Sequence, residues 1–306
     1  MRVLVTGGCG YIGSVLVPKL LAAGHAVDVW DVMWFGVNQL NFDKVDIRNH
    51  PDFSADAVIH LAAIANDPSG DLDPKLTWEV NALATMQLAD AAAKVRVKQF
   101  IYASSGSVYG VSDAPQVTED TTLNPLSDYN KTKMVAERCV LSYADQMAVQ
   151  VIRPATVCGF SQRMRLDVVV NQLTMEACTK GKLVVKTPHA IRPHIHIEDM
   201  TDLYCWLLEH PELTGIYNAG FENQSVGTTA EAVRILCNIE APIEYAESND
   251  PRSYRLNSDK LLKAGFKPKH TVEDAIRYIA NRFASGELVD KDECHNVRHL
   301  KNLLRA

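Results

Sequence analysis

The sequence predicts an α/β protein: a doubly wound parallel sheet, with a smaller, discontinuous C-terminal part behind it. Three observations predict this. Short β-branched apolar runs alternate with helical apolar spacing through the first half of the chain. A glycine cluster, "GGCGYIG", sits where the first such run meets the first helical stretch. After "RPATVCGF" the strand–helix rhythm breaks.

Taken in order, "RVLVTG" at 2–7 reads as a buried parallel strand ending in glycine. "IGSVLVPKLLAAG" continues with helical spacing and stops at Gly24, a C′ position, and Pro18 inside it should bend the helix. "HAVDVWD" (25–31) is a second strand and "AVIHLAA" (57–63) a later one. A helical pattern from Trp78 to Lys94 leads into the strand "QFIYASS" (99–105). "SDYNKTK" (127–133) opens a helix with Ser127 as N-cap, and "AVQVIRPA" (148–155) is a further strand. The stretch 161–182, "SQRMRLDVVVNQLTMEACTKGK", reads as a loop and an amphipathic helix. The polar tail from Glu287 to Ala306 carries no pattern that places it.

Composition narrows the function. With 306 residues, 47% hydrophobic and 22% charged, the chain is an ordinary globular protein able to bury a large core. Its net charge of −6 argues against nucleic acid as the main partner, although a local arginine cluster could still take a phosphorylated small molecule. Met1 and Arg2 lead directly into "VLVTGG" without a signal-peptide apolar region, and no run of 18 apolar residues appears. The seven cysteines are scattered and unpaired in spacing, which fits reduced thiols. A cytoplasmic protein with no metal and no membrane partner is therefore expected.

The glycines Gly7, Gly10 and Gly13, with Tyr11 and Ile12 between them, lie at a strand-to-helix junction. Backbone N–H groups and the helix dipole there suit a pyrophosphate, so the sheet is of the dinucleotide-binding Rossmann type. Asp31 ends the second strand 18 residues past Gly13, where a carboxylate accepts bonds from the ribose hydroxyls and repels a 2′-phosphate. No arginine stands beside it in sequence, so NAD is expected over NADP. In "SDYNKTK", Tyr129 and Lys133 are one helical turn apart and share a face. A solvent-facing helix start with Lys133 snorkelling would have the same spacing.

These residues, with "VDIRN", "VIHLAA", "YASSGSVYG", "RPATV", "PHIHIEDM" and "RSYRLNSDKLLKAGF" in order, resemble the extended short-chain dehydrogenase/reductases. The likeness is to their nucleotide-sugar epimerase/dehydratase family, typified by UDP-galactose 4-epimerase, and it runs over nearly the whole chain. It implies a dinucleotide-binding part at 1–158, with 191–220 returning to it. A nucleotide-sugar part follows at 159–190 and 221–306. It implies that Asp46 and Ile47 lie along the adenine, with Leu61, Ala62 and Ala63 beneath the ribose. Asn81 and Pro154 join the cofactor site, Ser105 is the catalytic serine, and Tyr129 and Lys133 are the Y-x-x-x-K pair. Ser105, Ser107, Arg163, Arg165, Asn171, Arg192 and Arg252 face a nucleoside-diphosphate sugar.

The chemistry explains the spacing. A sugar C4 hydroxyl gives up its hydride to nicotinamide only if its proton also leaves, so a base is needed near neutral pH. Bringing a tyrosine from a pKa of about 10 to near 7 takes about 4 kcal/mol at 1.36 kcal/mol per unit. A lysine ammonium a turn away and a positive nicotinamide ring supply charge of that order. Ser105 positions the same hydroxyl.

The reading is an NAD-dependent epimerase at C4 of a nucleoside-diphosphate sugar, working through a transient 4-keto sugar. The same residues would serve a C4 dehydrogenase or ketoreductase with net redox, or epimerisation at C3 or C5. An NAD-binding redox sensor is disfavoured by retention of Ser105, Tyr129 and Lys133. Gly106 and Ser107 replace the acid pair that sugar 4,6-dehydratases need. Cys158 stands where many relatives carry tyrosine and reads as a core thiol; His194 and His196 read as satisfied structural histidines. A homodimer through the helices at 78–94 and 127–146 is implied by the resemblance.

Overall fold

The computed structural model describes residues 1–35, 42, 44–112, 114–246 and 253–305. Six strands form the large sheet: β1 (Arg2–Thr6), β2 (Ala26–Trp30), β3 (Ala57–His60), β4 (Gln99–Ala103), β5 (Ala148–Pro154) and β9 (Gly215–Ala219). Their order is β2-β1-β3-β4-β5-β9, and every neighbouring pair is parallel.

Burial on both faces explains the unbroken apolar runs. Val3, Val5, Ile59 and Ile101 face a core shared with Leu16, Val17 and Leu20 of the helix Gly13–Ala22 and with Leu203 and Leu207 of the helix Ile197–Glu209. Those two helices are also joined by Lys19, whose ammonium lies 2.7 Å from Glu198 and 2.6 Å from Asp202. Leu4, Val58, Phe100 and Tyr102 point the other way. They meet Leu88, Ala89 and Ala92 of the helix Ala84–Lys94, and Ala136 and Val140 of the helix Asp128–Leu141.

The back part has its own small sheets. One is β10 (Glu222–Ser225), β8 (Ile191–His196) and β6 (Thr156–Cys158); the other is β11 (Glu244–Ala246) with β7 (Val184–Lys186). A third core packs the helices Val169–Lys180, Val226–Leu236 and Val272–Ala284 together through Val170, Leu173, Ala230, Val233 and Ile276. The chain thus returns to the large sheet at β9, whereas β8 lies in a small one.

Two stretches differ from the sequence expectation. The single helix expected from Trp78 to Lys94 is a short helix Pro74–Trp78, a π-helical turn Glu79–Leu83 and the helix Ala84–Lys94. Within the π turn, Asn81 both accepts from the backbone N–H of Ile64 (2.8 Å) and donates to its carbonyl (3.0 Å), and this tertiary grip is invisible to periodicity. The unplaced tail forms a 3₁₀ turn Asp292–Cys294 and a helix Asn296–Leu303. Among the described residues no helix is long and apolar enough to cross a membrane.

The helix Asp128–Leu141 starts as the sequence requires, with Ser127 accepting from the Asn130 N–H at 3.2 Å. Its inward stripe is Tyr129, Lys133 and Glu137, spaced by four residues and all nearly buried. Glu137 pairs with Arg153 of β5 at 2.8 Å, with side chains 2% and 3% exposed, and also accepts the Ser104 hydroxyl. Arg153 in turn donates to the Tyr109 hydroxyl at 2.8 Å. Removing one member strands the other in a dry site. Glu137→Ala should therefore lose about 3–5 kcal/mol of stability, read from the urea midpoint, with Tyr109 unable to compensate the arginine.

Candidate active site

A cleft of about 420 Å³ opens at the carboxyl ends of the large-sheet strands, where the strand order reverses between β1 and β3. Close backbone contact builds its floor. Gly7 has φ +72°, and a Cβ there would lie 2.6 Å from the Ala62 nitrogen; one on Gly13 would lie 2.5 Å from the Gly7 carbonyl oxygen. Gly10 donates to that same carbonyl at 3.0 Å and lines the cleft. A Cβ on Gly10 would meet only the Gly7 oxygen, at 3.1 Å, and otherwise project into the cleft. The loop therefore leaves backbone open at the start of the helix Gly13–Ala22, which is what a pyrophosphate requires.

The remaining expected cofactor residues fall along this wall. Asp31 accepts from the backbone N–H of Cys9 (3.0 Å) and of Met33 (2.7 Å); burial pushes its pKa up while these bonds oppose. Asp46 caps the 3₁₀ turn Ile47–Asn49 and pairs with Arg48 at 2.6 Å, which holds its carboxyl below the usual range. Ile47, Leu61, Ala62, Ala63 and Pro154 also line the cleft. Ile12 and Tyr11 reach it as well, but the Tyr11 hydroxyl is a bolt to the back part: it donates to the Gly159 carbonyl at 2.6 Å and accepts from Asn171 at 2.9 Å. The open glycine loop, the carboxylate at the end of β2 and the apolar walls fit a dinucleotide.

At the other end stand Ser105, Tyr129 and Lys133. Ser105 and the Asn66 backbone lie near enough to the Tyr129 phenol to favour its ionised form. Ser105 and Ser107 hydroxyls are 2.7 Å apart, and Ser107 donates to Asn130 at 2.5 Å. Asn130 and Ser127 both donate to Asp67, at 2.9 and 2.7 Å. Lys133 is buried, so the snorkelling alternative fails; its ammonium donates to the Ala103 carbonyl at 2.7 Å over the face of Tyr102.

The protonation expectation needs correction. The Tyr129 pKa is pushed up, not down: burial outweighs the opposing influence of nearby Ser105, and Lys133 is turned onto Ala103. Burial instead acts on the lysine, bringing its pKa down to about 7 against the opposing pull of Glu137. The protein's own groups thus give a neutral phenol and, one turn on, an amine whose charge burial makes costly.

The expected substrate arginines separate. Arg192 lines the cleft. Arg165 lines it too but is tied to Asp167 by two bonds, 2.9 and 3.2 Å. Arg163 lies near Asp31, with its guanidinium 3.8 Å from the centre of the Phe35 ring. Arg252 lies outside the described residues. Asn171 is fully buried, bonded to Gly159, Tyr11 and Arg165, and Asn81 holds Ile64; neither side chain lines the cleft. Both side chains hold loops in place. Cys158 is a core thiol, as expected. His196 caps the helix Ile197–Glu209, but neither ring nitrogen of buried His194 has a hydrogen-bond partner among the described residues. Burial and then Arg192 lower its pKa to about 4, which keeps the ring neutral.

Sequence reasoning missed Glu137, Asn66, Asp67 and Asn296. The four-residue repeat from Tyr129 through Lys133 signals Glu137, and "NDP" signals a turn at 66–67, where Asn66 has φ +78°. Nothing local signals Asn296.

Residues 3–220 match the NAD dependent epimerase/dehydratase family, and the chain belongs to that family. A UDP-glucose 4-epimerase of Lactobacillus helveticus is 28% identical, over 90% of this chain and 95% of the relative. One from Mycolicibacterium smegmatis is 31% identical over 67% of this chain and 72% of its own. A crystal structure of the Thermus thermophilus UDP-glucose 4-epimerase in complex with NAD superimposes with a TM-score of 0.81. It is 26% identical and covers 93% of this chain and 99% of that one.

The lysine gives a pH signature. Its folded pKa near 7 lies below the ordinary 10.5, so between those values the unfolded chain binds the extra proton and stability rises with pH. The stability of the cofactor-free protein relative to Lys133→Met should therefore climb by roughly 3–5 kcal/mol from pH 7 to pH 10.5, measured by urea unfolding. A flat difference would show that burial does not depress the amine's pKa.

Proposed function

We propose that the protein is an NAD-dependent epimerase acting at C4 of a nucleoside-diphosphate sugar through a transient 4-keto sugar. The observation that carries this is the gathering of Ser105, Tyr129 and Lys133 on the wall of a dinucleotide cleft, with Ser105 near enough to the phenol to favour its ionised form. NAD bound along the glycine wall would supply the hydride acceptor and, later, the hydride donor. Tyr129 first passes its phenol proton to the neutral amine form of Lys133; as phenolate it takes the C4 hydroxyl proton as the C–H bond breaks, and returns it when the ketone is reduced on its other face. Ser105, held by Ser107, fixes the direction of that hydroxyl. Lys133, charged by the phenol proton, is the group we assign to stabilise the phenolate. Arg192 and Arg252 are the ligands we assign to the sugar's diphosphate. The UDP-glucose 4-epimerases among the relatives support the sugar-nucleotide class.

Incubation with candidate sugars in deuterated water, with catalytic NAD, tests the reading. The expected product is the C4 epimer with no NADH absorbance and no solvent deuterium. Stoichiometric NADH would instead mean net oxidation, and deuterium on carbon would mean enolisation and epimerisation at C3 or C5. Tyr129→Phe should lower turnover by about 10²–10⁴-fold while NAD still binds.

We also propose a cytoplasmic homodimer. All seven cysteines are free, which suits a reducing compartment, and Trp78, Leu83 and Met86 are exposed beside the helix Asp128–Leu141. Light scattering after gel filtration should give about twice the 33.9 kDa chain mass, and Leu83→Glu with Met86→Glu should halve it.

A further inference from the structure

The tail and Arg163 together point beyond the reading just given. Residues 161–163 are tied to the glycine loop: Ser161 donates to the Tyr11 carbonyl at 2.7 Å, its oxygen lies 2.7 Å from the Ser14 hydroxyl, and the Arg163 N–H donates to Ser14 at 3.3 Å. Arg163 is 3% exposed yet lines the cleft. Its hydrogen-bond acceptor is neutral, the Asn296 side chain at 2.6 Å, and its Nε has no hydrogen-bond partner among the described residues. The carboxylates that feel its charge are committed elsewhere, Asp31 to Cys9 and Met33, and Asp167 to Arg165 and the Asn296 N–H. A buried guanidinium without a hydrogen-bonded anion is costly, and Arg165 nearby adds repulsion. It stands beside the glycine loop, whose open backbone is shaped for phosphate.

The C-terminal helix Asn296–Leu303 holds this arrangement from outside. Asn296 grips Arg163, and the His299 ring is bonded to the Trp34 carbonyl at 2.5 Å and lies against Phe35, centroids 5.3 Å apart. Phe35 is the ring beneath Arg163. The Leu166 N–H donates to the Cys294 carbonyl at 2.8 Å, and Leu300 is buried. One short helix thus joins the Asp31 side of the cleft to the 163–167 segment opposite.

We propose that Arg163 is a ligand of the dinucleotide's phosphates rather than of the sugar, and that the C-terminal helix is a strap that keeps NAD bound through turnover. The inference rests on the reading that the cleft takes NAD. It has a chemical logic: an epimerase returns the same hydride it removed, so a cofactor that left midway would strand a keto sugar. An enzyme with net redox must instead exchange its cofactor every cycle.

The test uses no sugar. NAD-loaded protein is mixed with excess of an NAD-consuming dehydrogenase and its alcohol, and the release rate is read as NADH formation. Arg163→Met and Asn296→Ala should each release NAD at least tenfold faster than wild type, His299→Ala several-fold faster, and Lys301→Ala on the exposed face no faster. Thermal unfolding without NAD checks each variant's fold. Asn296→Ala removes one neutral acceptor, so it keeps the test alive should Arg163→Met not fold. Release within twofold of wild type in both Arg163→Met and Asn296→Ala overturns the strap and leaves the epimerase reading standing. Wild type that takes up no NAD overturns both.

Discussion

The buried ion pair between Glu137 and Arg153 fixes the geometry on which the site depends. It joins the helix Asp128–Leu141 to β5, and through Ser104 to the end of β4. One and two turns earlier on the same stripe lie Lys133 and Tyr129, so any rotation of the helix that moved the phenol would first have to break a desolvated salt bridge. The pair therefore acts less as a source of stability than as a register pin. Ser105, next after Ser104, is held near Tyr129 by the same anchor.

The cofactor wall depends on a different constraint, the absence of side chains. Gly7 and Gly13 bring the first turn against β3 and against itself at distances no Cβ would permit. That contact shapes the crevice between β1 and β3 and leaves the backbone at Gly10 bare beside it. Around it the protein uses polar side chains to hold loops in place: Tyr11 and Asn171 on Gly159, Asn81 on Ile64. Several residues that look like ligands in the sequence are thus the frame on which ligands rest.

The electrostatics of the two ends differ in a way that suits their tasks. Near Asp31 and Arg163 charges are buried and fixed by backbone bonds, an aromatic face and the C-terminal helix. Near Tyr129 the key cation is an amine whose pKa, about 7, lets its charge respond to what lies in the cleft. A neutral phenol and a marginal ammonium form a proton site that a bound pyridinium charge can tip.

The order of strands and helices, the glycine turn and the Tyr129–Lys133 face were legible in the sequence, because each depends on neighbours within a turn or a strand. Periodicity reports which faces are buried, and glycine spacing reports where backbone must come close. The sequence could not show that Lys133 turns to Ala103, that Asn171 faces inward or that Arg163 approaches Asp31 from far along the chain. Nor could it place the tail, whose polar residues find partners on Trp34 and Arg163. Local pattern determined the elements and the shared face of Tyr129 and Lys133. Which charged groups neutralise one another, and which are left facing the cleft, was decided by packing, because Coulomb and desolvation energies depend on distance in space and not along the chain.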